Sequence, residues 1–189
     1  MPAVELTSPN VKNYFIGKGV VAFKRDGEDD FRDMGNAATV EFTPELETLD
    51  HFSSRAGVKS KDRTVVTSKS GTVHLVLDEW TPSNLAIALL GDQATDVDGN
   101  IVIDIFSSNA VSGVLKFTGS NEIGPRYEVE LARVDFIPSA ALGLITDEWG
   151  QIDVTGNSVA VAGKFGTATL LANEGESVEP ESEPVSEST

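Results

Sequence analysis

The sequence predicts a mainly antiparallel β protein with one short α-helix. Three observations carry that reading. Apolar and polar residues alternate with period two through most of the chain, the alternating stretches are rich in Val, Ile, Phe and Thr, and Gly, Asn and Asp separate them, as they do where strands turn back on themselves. In chain order the predicted strands are 13–25 (NYFIGKGVVAFKR), 34–43 (MGNAATVEFT), 72–80 (TVHLVLDEW), 100–106 (NIVIDIF), 113–119 (GVLKFTG) and 126–138 (RYEVELARVDFIP). Shorter ones follow at QIDV (151–154), NSVAVA (157–162) and TATLL (167–171).

The helix is predicted after Trp80. Thr81 is a good N-cap, Pro82 suits the first helical position, Leu85, Ile87, Ala88, Leu89 and Leu90 give an apolar segment, and Gly91 ends it. The triplet Asp-Glu-Trp thus closes a strand at 78–80, and it recurs at 147–149 before Gly150 and QIDV. Outside the triplet the two segments do not align, so no internal repeat is expected. Nor do Asp78 and Glu79 suit acid–base chemistry, because neighbours on a strand point to opposite faces.

A chain of 189 residues and 20.1 kDa supports one domain, here 1–172, plus a tail. The tail is 173–189, NEGESVEPESEPVSEST: six Glu, no Lys or Arg and almost nothing apolar, a composition that cannot bury enough surface to order itself. Overall, 14 Lys and Arg stand against 30 Asp and Glu, a net charge of -16. Without the six tail carboxylates the body keeps 24 acidic and 14 basic residues, or -10. That balance excludes a conventional DNA-binding protein, whose affinity comes from neutralising phosphates. The apolar runs are strand-sized, far short of the roughly 20 residues of a membrane helix, and the opening MPAVELTSPN has no signal-peptide pattern. No cysteine is present, so disulfides and thiolate metal sites are excluded.

One segment runs against the acidic trend. Residues 52–71, FSSRAGVKSKDRTVVTSKSG, hold Arg55, Lys59, Lys61, Arg63 and Lys69 against Asp62 alone, a local +4. Their Ser, Gly and Lys content predicts a long surface loop, and a loop of that length in a compact domain is usually functional.

No motif predicts catalysis or a cofactor. GKGVVA (17–22) superficially fits the dinucleotide-binding fingerprint, but Val20, Val21 and Phe23 continue as strand where a helix N-terminus is required. DVDGN (96–100) resembles part of a calcium loop; in that register the first position is Ala94 and the twelfth Ile105, so both anchoring carboxylates are missing and a tight turn at Asp98-Gly99 is expected. His51 and His74 have no neighbours that complete a zinc set or a nucleophile arrangement.

The order of features is more specific. YFIGKGVVAFK, then RDMGNAATVEFTPELETLDHFSSRAGVKSKDRTVV with its Gly35-Asn36 turn, then TVHLVLDEWTPSNLAIALLGD, resembles the tail tube (major tail) proteins of long-tailed bacteriophages, most closely over 13–92. The resemblance implies an antiparallel β-sandwich with one flanking helix, whose inner sheets close into a barrel in a hexameric ring. Rings stack into the tail tube, the conduit for double-stranded DNA, which passes without specific binding. The implied partners are further copies of the chain and the tape-measure and tail-tip proteins; the implied location is the virion tail, after synthesis in the host bacterial cytoplasm, with no membrane. Six subunits giving four strands each would make a ring of roughly 115 Å circumference and about 40 Å diameter, wide enough for a duplex of about 20 Å.

Within that picture Arg55, Lys59, Lys61, Asp62 and Arg63 are the expected inter-ring stacking residues. Glu41, Asp78, Glu128 and Glu130, on predicted strands with apolar neighbours, are the candidate lumen-lining carboxylates. A carboxylate wall offers phosphates no binding sites. The alternatives are a soluble β-sandwich binding module, a secretion-system tube protein of the same architecture, and an enzyme.

Overall fold

The computed structural model describes residues 9–55 and 57–172, and within them the period-two pattern becomes alternating burial. Val21 and Phe23 of β1 (Gly19–Arg25), Val73, Leu75 and Leu77 of β4 (Ser60–Leu77), Leu131, Val134 and Phe136 of β8 (Tyr127–Pro138) and Ile152 and Val154 of β9 (Ile152–Ser158) point into one core. Their neighbours along each strand stay wetter, as expected of strands with one face on a core. Phe23 and Phe136 meet edge to face, 5.3 Å between ring centres.

The remaining strands are β2 (Arg32–Asp33), β3 (Ala37–Ser53), β5 (Asp92–Thr95), β6 (Ile101–Asp104), β7 (Val111–Gly119) and β10 (Gly166–Leu170), with α1 at Pro82–Ala88. All pairings are antiparallel. Eight strands form one sheet in the order β2-β1-β7-β8-β9-β4-β3, with β10 also on β8, while β5 and β6 make a separate hairpin. The mainly antiparallel β class with one helix is therefore as expected from sequence.

A single strand joins the two layers. One edge of β8 pairs with β7; the other is shared, Tyr127–Leu131 with β10 and Val134–Pro138 with β9. The sheet folds over there, so that β3 and β4 face the start of β1, β7 and β8 across an open cleft. The terminal strands β2 and β3 are not hydrogen-bonded to each other, so the sheet is open.

Several boundaries shift for local reasons. The chain from 14 to 18 is not in the sheet, and a 3-10 turn at Val11–Asn13 replaces the start of the expected first strand. NSVAVA is not a strand beyond Ser158. Val161 and Lys164 instead exchange both backbone hydrogen bonds around Ala162 (φ 49) and Gly163 (φ 80), a two-residue turn of the kind that requires positive φ at both centres. DVDGN is the expected turn: the Asp96 carboxylate accepts from the Asp98 and Asn100 backbones and from the Asn100 side chain. The acidic segment 173–189 lies outside the described residues.

Asn84 is the central polar contact. It is fully buried, and Thr81, the N-cap foreseen from sequence, receives its backbone N–H at 3.2 Å. Its Nδ2 donates to the Met34 carbonyl at 2.9 Å and the Glu79 carbonyl at 3.0 Å, and its Oδ1 accepts from Arg32 at 2.8 Å. One amide thus ties β2, the end of β4 and the start of α1. Burial pulls the Arg32 guanidinium below its ordinary value, opposed by Glu28 and Asp33, yet arginine stays charged at any working pH. Around this amide the first Asp-Glu-Trp acts as a clasp. The Glu79 carboxylate accepts from the Asn36 N–H at 2.9 Å, and it lies so close to Gly35 (φ 79) that a Cβ there would fall 2.3 Å from its carboxyl carbon.

Replacing Asn84 with Ala strands the Arg32 donor and two carbonyls in the interior. The variant should lose about 3 kcal/mol of stability in urea unfolding. A loss under about 1 kcal/mol would show that the clasp holds without its amide.

Candidate functional site

Pairing of β3 with β4 continues far beyond the core. From Ala37↔Leu77 it runs to Ser53↔Ser60, with register shifts near Glu47/Thr48 and His51/Phe52. Val73, Leu75 and Leu77 are buried, whereas outward from Pro44 and Ser70 almost every residue of both strands is exposed. The outer part is a two-stranded arm.

That arm corrects the reading of 52–71 as a long loop. Phe52 and Ser53 finish β3, residues 60–71 belong to β4, and only 54–59 connect them. The physical reason is that both faces of the arm are wet, so no hydrophobic alternation marks it; β-branched Thr64, Val65, Val66 and Thr67 still favour strand. The charge reading changes as well. β3 brings Glu45, Glu47 and Asp50 alongside, so residues 44–70 carry five cations against four carboxylates, a net +1. Positive charge concentrates at the tip.

The five expected stacking residues all lie at that tip. Lys61 donates to Asp50 at 3.3 Å, and Asp62 meets the His51 ring at 2.6 Å. Arg63 lies across from His51, while Arg55 and Lys59 flank the turn. Apolar side chains are exposed on both faces: Leu46, Phe52 and Val66 on one, Leu49 and Val65 on the other. A lone two-stranded ribbon is marginal in water, and this one keeps its apolar groups uncovered.

Three of the four candidate lumen carboxylates lie on the sheet face away from the core. Glu128 and Glu130 alternate with Val129 and Leu131 on β8 and flank Lys116 of β7 at 3.7 and 3.5 Å. Glu41 stands opposite His74, 3.8 Å from Nδ1, and the other ring nitrogen meets Asp153 at 2.9 Å. Asp78 departs from expectation, because β4 ends at Leu77. Its carboxylate accepts from the Asn36 and Gln151 side chains, so it completes the clasp and does not project from a strand. Sequence reading missed Asn84, whose burial has no signature in composition or period.

Two further features complete the surface. An open cleft of about 510 Å³ is lined by Phe15, Val40, Phe42, Leu115, Phe117 and Val129 among others. The two tryptophans differ: Trp80 is 37% exposed, Trp149 96%. Among the described residues no three His, Cys, Asp or Glu side chains gather as a metal ion requires, and no helix is long and apolar enough to cross a membrane.

The Thr64 hydroxyl, 2.7 Å from Asp50, is the first cause holding the Asp50 carboxyl below its ordinary 3.8, and Lys61 is the second. A lowered folded value adds stability above pH 3.8 that is lost as pH falls through the folded value. Thr64→Val should therefore move the Asp50 midpoint up toward 3.8 in an NMR carboxyl titration. An unmoved midpoint would show that the arm's cross-strand contact is not formed in solution.

A family model described as "Protein of unknown function UCP028589" matches residues 14–104, from the approach to β1 through the arm, α1 and the β5–β6 hairpin. No curated protein matches the chain. The chain is thus similar, over just under half its length, to a family whose description assigns no activity.

Proposed function

We propose that this chain is a structural subunit of a bacteriophage tail tube: six copies form a ring, rings stack, and genomic DNA passes through the bore. The observation that carries the reading is the arm, a long ribbon with uncovered apolar residues on both faces and a basic tip. An element without a core in its own subunit is completed by a neighbour. The open sheet supports the same reading. β3 is paired along one edge only and β2 covers little of β1, and exposed edges of this kind invite pairing with another chain. In a ring such edges join and the layers become part of a shared barrel.

Electrostatics fit a conduit. Glu128 and Glu130 lie on the outer face of one layer and Glu41 on the outer face of the other, and in this reading the carboxylates of the layer turned to the bore line it and repel phosphates. The +1 arm of a subunit with net charge -16 is drawn toward an acidic neighbouring ring, with Arg55, Lys59, Lys61 and Arg63 making contact and Asp62 fixing the register through His51. Complementary charge of this kind sets orientation more than affinity. Tape-measure and tail-tip proteins would be the other partners, and the virion tail the location. A secretion-system tube would use the same surfaces, and its lumen would lack the need to repel DNA.

A second reading, a soluble binding module, is favoured by the apolar cleft and by Trp149. Electron microscopy of the purified protein after prolonged incubation separates them. The tube reading expects hollow stacked rings whose inner barrel is on the order of 40 Å across at the backbone and narrower at the side chains. Reversing Arg55, Lys59 and Arg63 to Glu should leave the subunit folded and stop extension. A monodisperse monomer under all conditions would favour the binding module, and tubes of normal length from the reversed variant would make the tip charge incidental.

A further inference from the structure

The connection between β8 and β9, residues 139–151, is anchored at both ends and exposed in the middle. Leu142 packs on the core. Gly150 lies against the Trp80 indole, so closely that a Cβ there would come within 3.1 Å of Nε1, and the Gln151 side chain donates to Asp78 at 3.0 Å. In between, the Thr146 hydroxyl accepts from the Glu148 N–H at 3.0 Å. Between these anchors Leu144, Ile145 and Trp149 are held outward, 81%, 99% and 96% exposed. Three large apolar side chains on one anchored loop make a protruding knob, and tryptophan is the residue that most often dominates an interface once buried.

The same chain carries a matching hollow. The cleft between the two layers, about 510 Å³, is walled by Phe42, Leu115, Phe117 and Val129, and Lys18 stands in its lining. That volume exceeds what one indole fills. The base of the loop lies near the Ala37 end of the hollow, through Gln151 on Asp78 and the Leu77↔Ala37 pair, yet Ile145 and Trp149 point to solvent and leave their own chain's hollow unfilled. A surface that fits a different surface of an identical molecule makes a head-to-tail contact, which repeats into a ring or a filament. Charge agrees in part: Asp147 and Glu148 flank Trp149 and oppose Lys18, while Glu41, also in the lining, is 3.8 Å from His74.

We propose that the 139–151 loop of one copy seats Trp149 and Ile145 in the cleft of a second copy, forming the side-to-side contact within a ring. The proposal rests on the reading of the chain as a self-assembling subunit, and it names a contact distinct from the arm.

Trp149→Ala combined with Ile145→Ser removes the knob, and Val40→Lys places a charge in the hollow. Circular dichroism and thermal unfolding of the two variants verify that each subunit is folded. Both variants should need at least tenfold higher protein concentration than wild type to assemble in sedimentation velocity. A Trp80→Phe background leaves Trp149 as the sole indole, since the chain has two tryptophans, and its emission should shift to the blue as assembly proceeds. Wild type that assembles while the folded knob variant assembles equally well, or while Trp149 emission stays that of a solvated indole, overturns the contact and leaves the tube reading standing. Wild type that stays monomeric throughout overturns both.

Discussion

The pairing of β3 with β4 is the constraint on which the molecule depends. It is built at one end only. Near the core, Leu75 and Leu77 are buried, Gly35 and Asn36 fit against the Glu79 carboxylate, and Asn84 joins that corner to α1. Those contacts leave the two strands one register, because a slip of one residue would turn Leu75 and Leu77 to solvent. Beyond Pro44 and Ser70 the ribbon inherits that register without a core of its own. Its direction is set by buried contacts, and its surface is free for another chain.

Charge and apolar surface divide the work along this frame. Glu128 and Glu130 flank Lys116 on the outer face of one layer, which partly compensates them, and Glu41 stands beside His74 on the outer face of the other. The arm tip gathers cations beside Asp50 and Asp62, and the β8–β9 loop carries Trp149. Assembly surfaces of this kind are polar at the rim and apolar at a few anchors. In the proposed tube the arm and the loop would supply such anchors at different places, one for stacking and one for lateral contact.

Much of the fold was legible from residues alone. Strands with one wet and one dry face, such as β1, β7 and β8, announce themselves by alternation, and Thr81-Pro82 and Asp98-Gly99 mark a helix start and a turn by their backbone chemistry. The arm was not legible as strand, since alternation is absent where both faces are wet, and Ser, Lys and Gly then read as loop. The two Asp-Glu-Trp triplets were also indistinguishable in sequence. One is folded into the clasp by Asn36, Asn84 and Gln151, and the other is held out by a loop whose anchors, Leu142 and Gly150, lie outside the triplet. Which carboxylates face away from the core could be read from Val129 and Leu131 around Glu128 and Glu130; that Asp78 is held in the clasp depends on Asn36 and Gln151, 42 and 73 residues away.

The central claim is that the arm is completed by a neighbouring copy. Amide hydrogen exchange of residues 44–53 and 60–69, followed in the free subunit and again after assembly, tests it most directly. Few buried contacts back these amides in the single chain, so the account expects fast exchange there and protection of at least a hundredfold in the assembled state, while Val73, Leu75 and Leu77 stay protected in both. Equal exchange of the arm before and after assembly, or strong protection already in the free subunit, would contradict it.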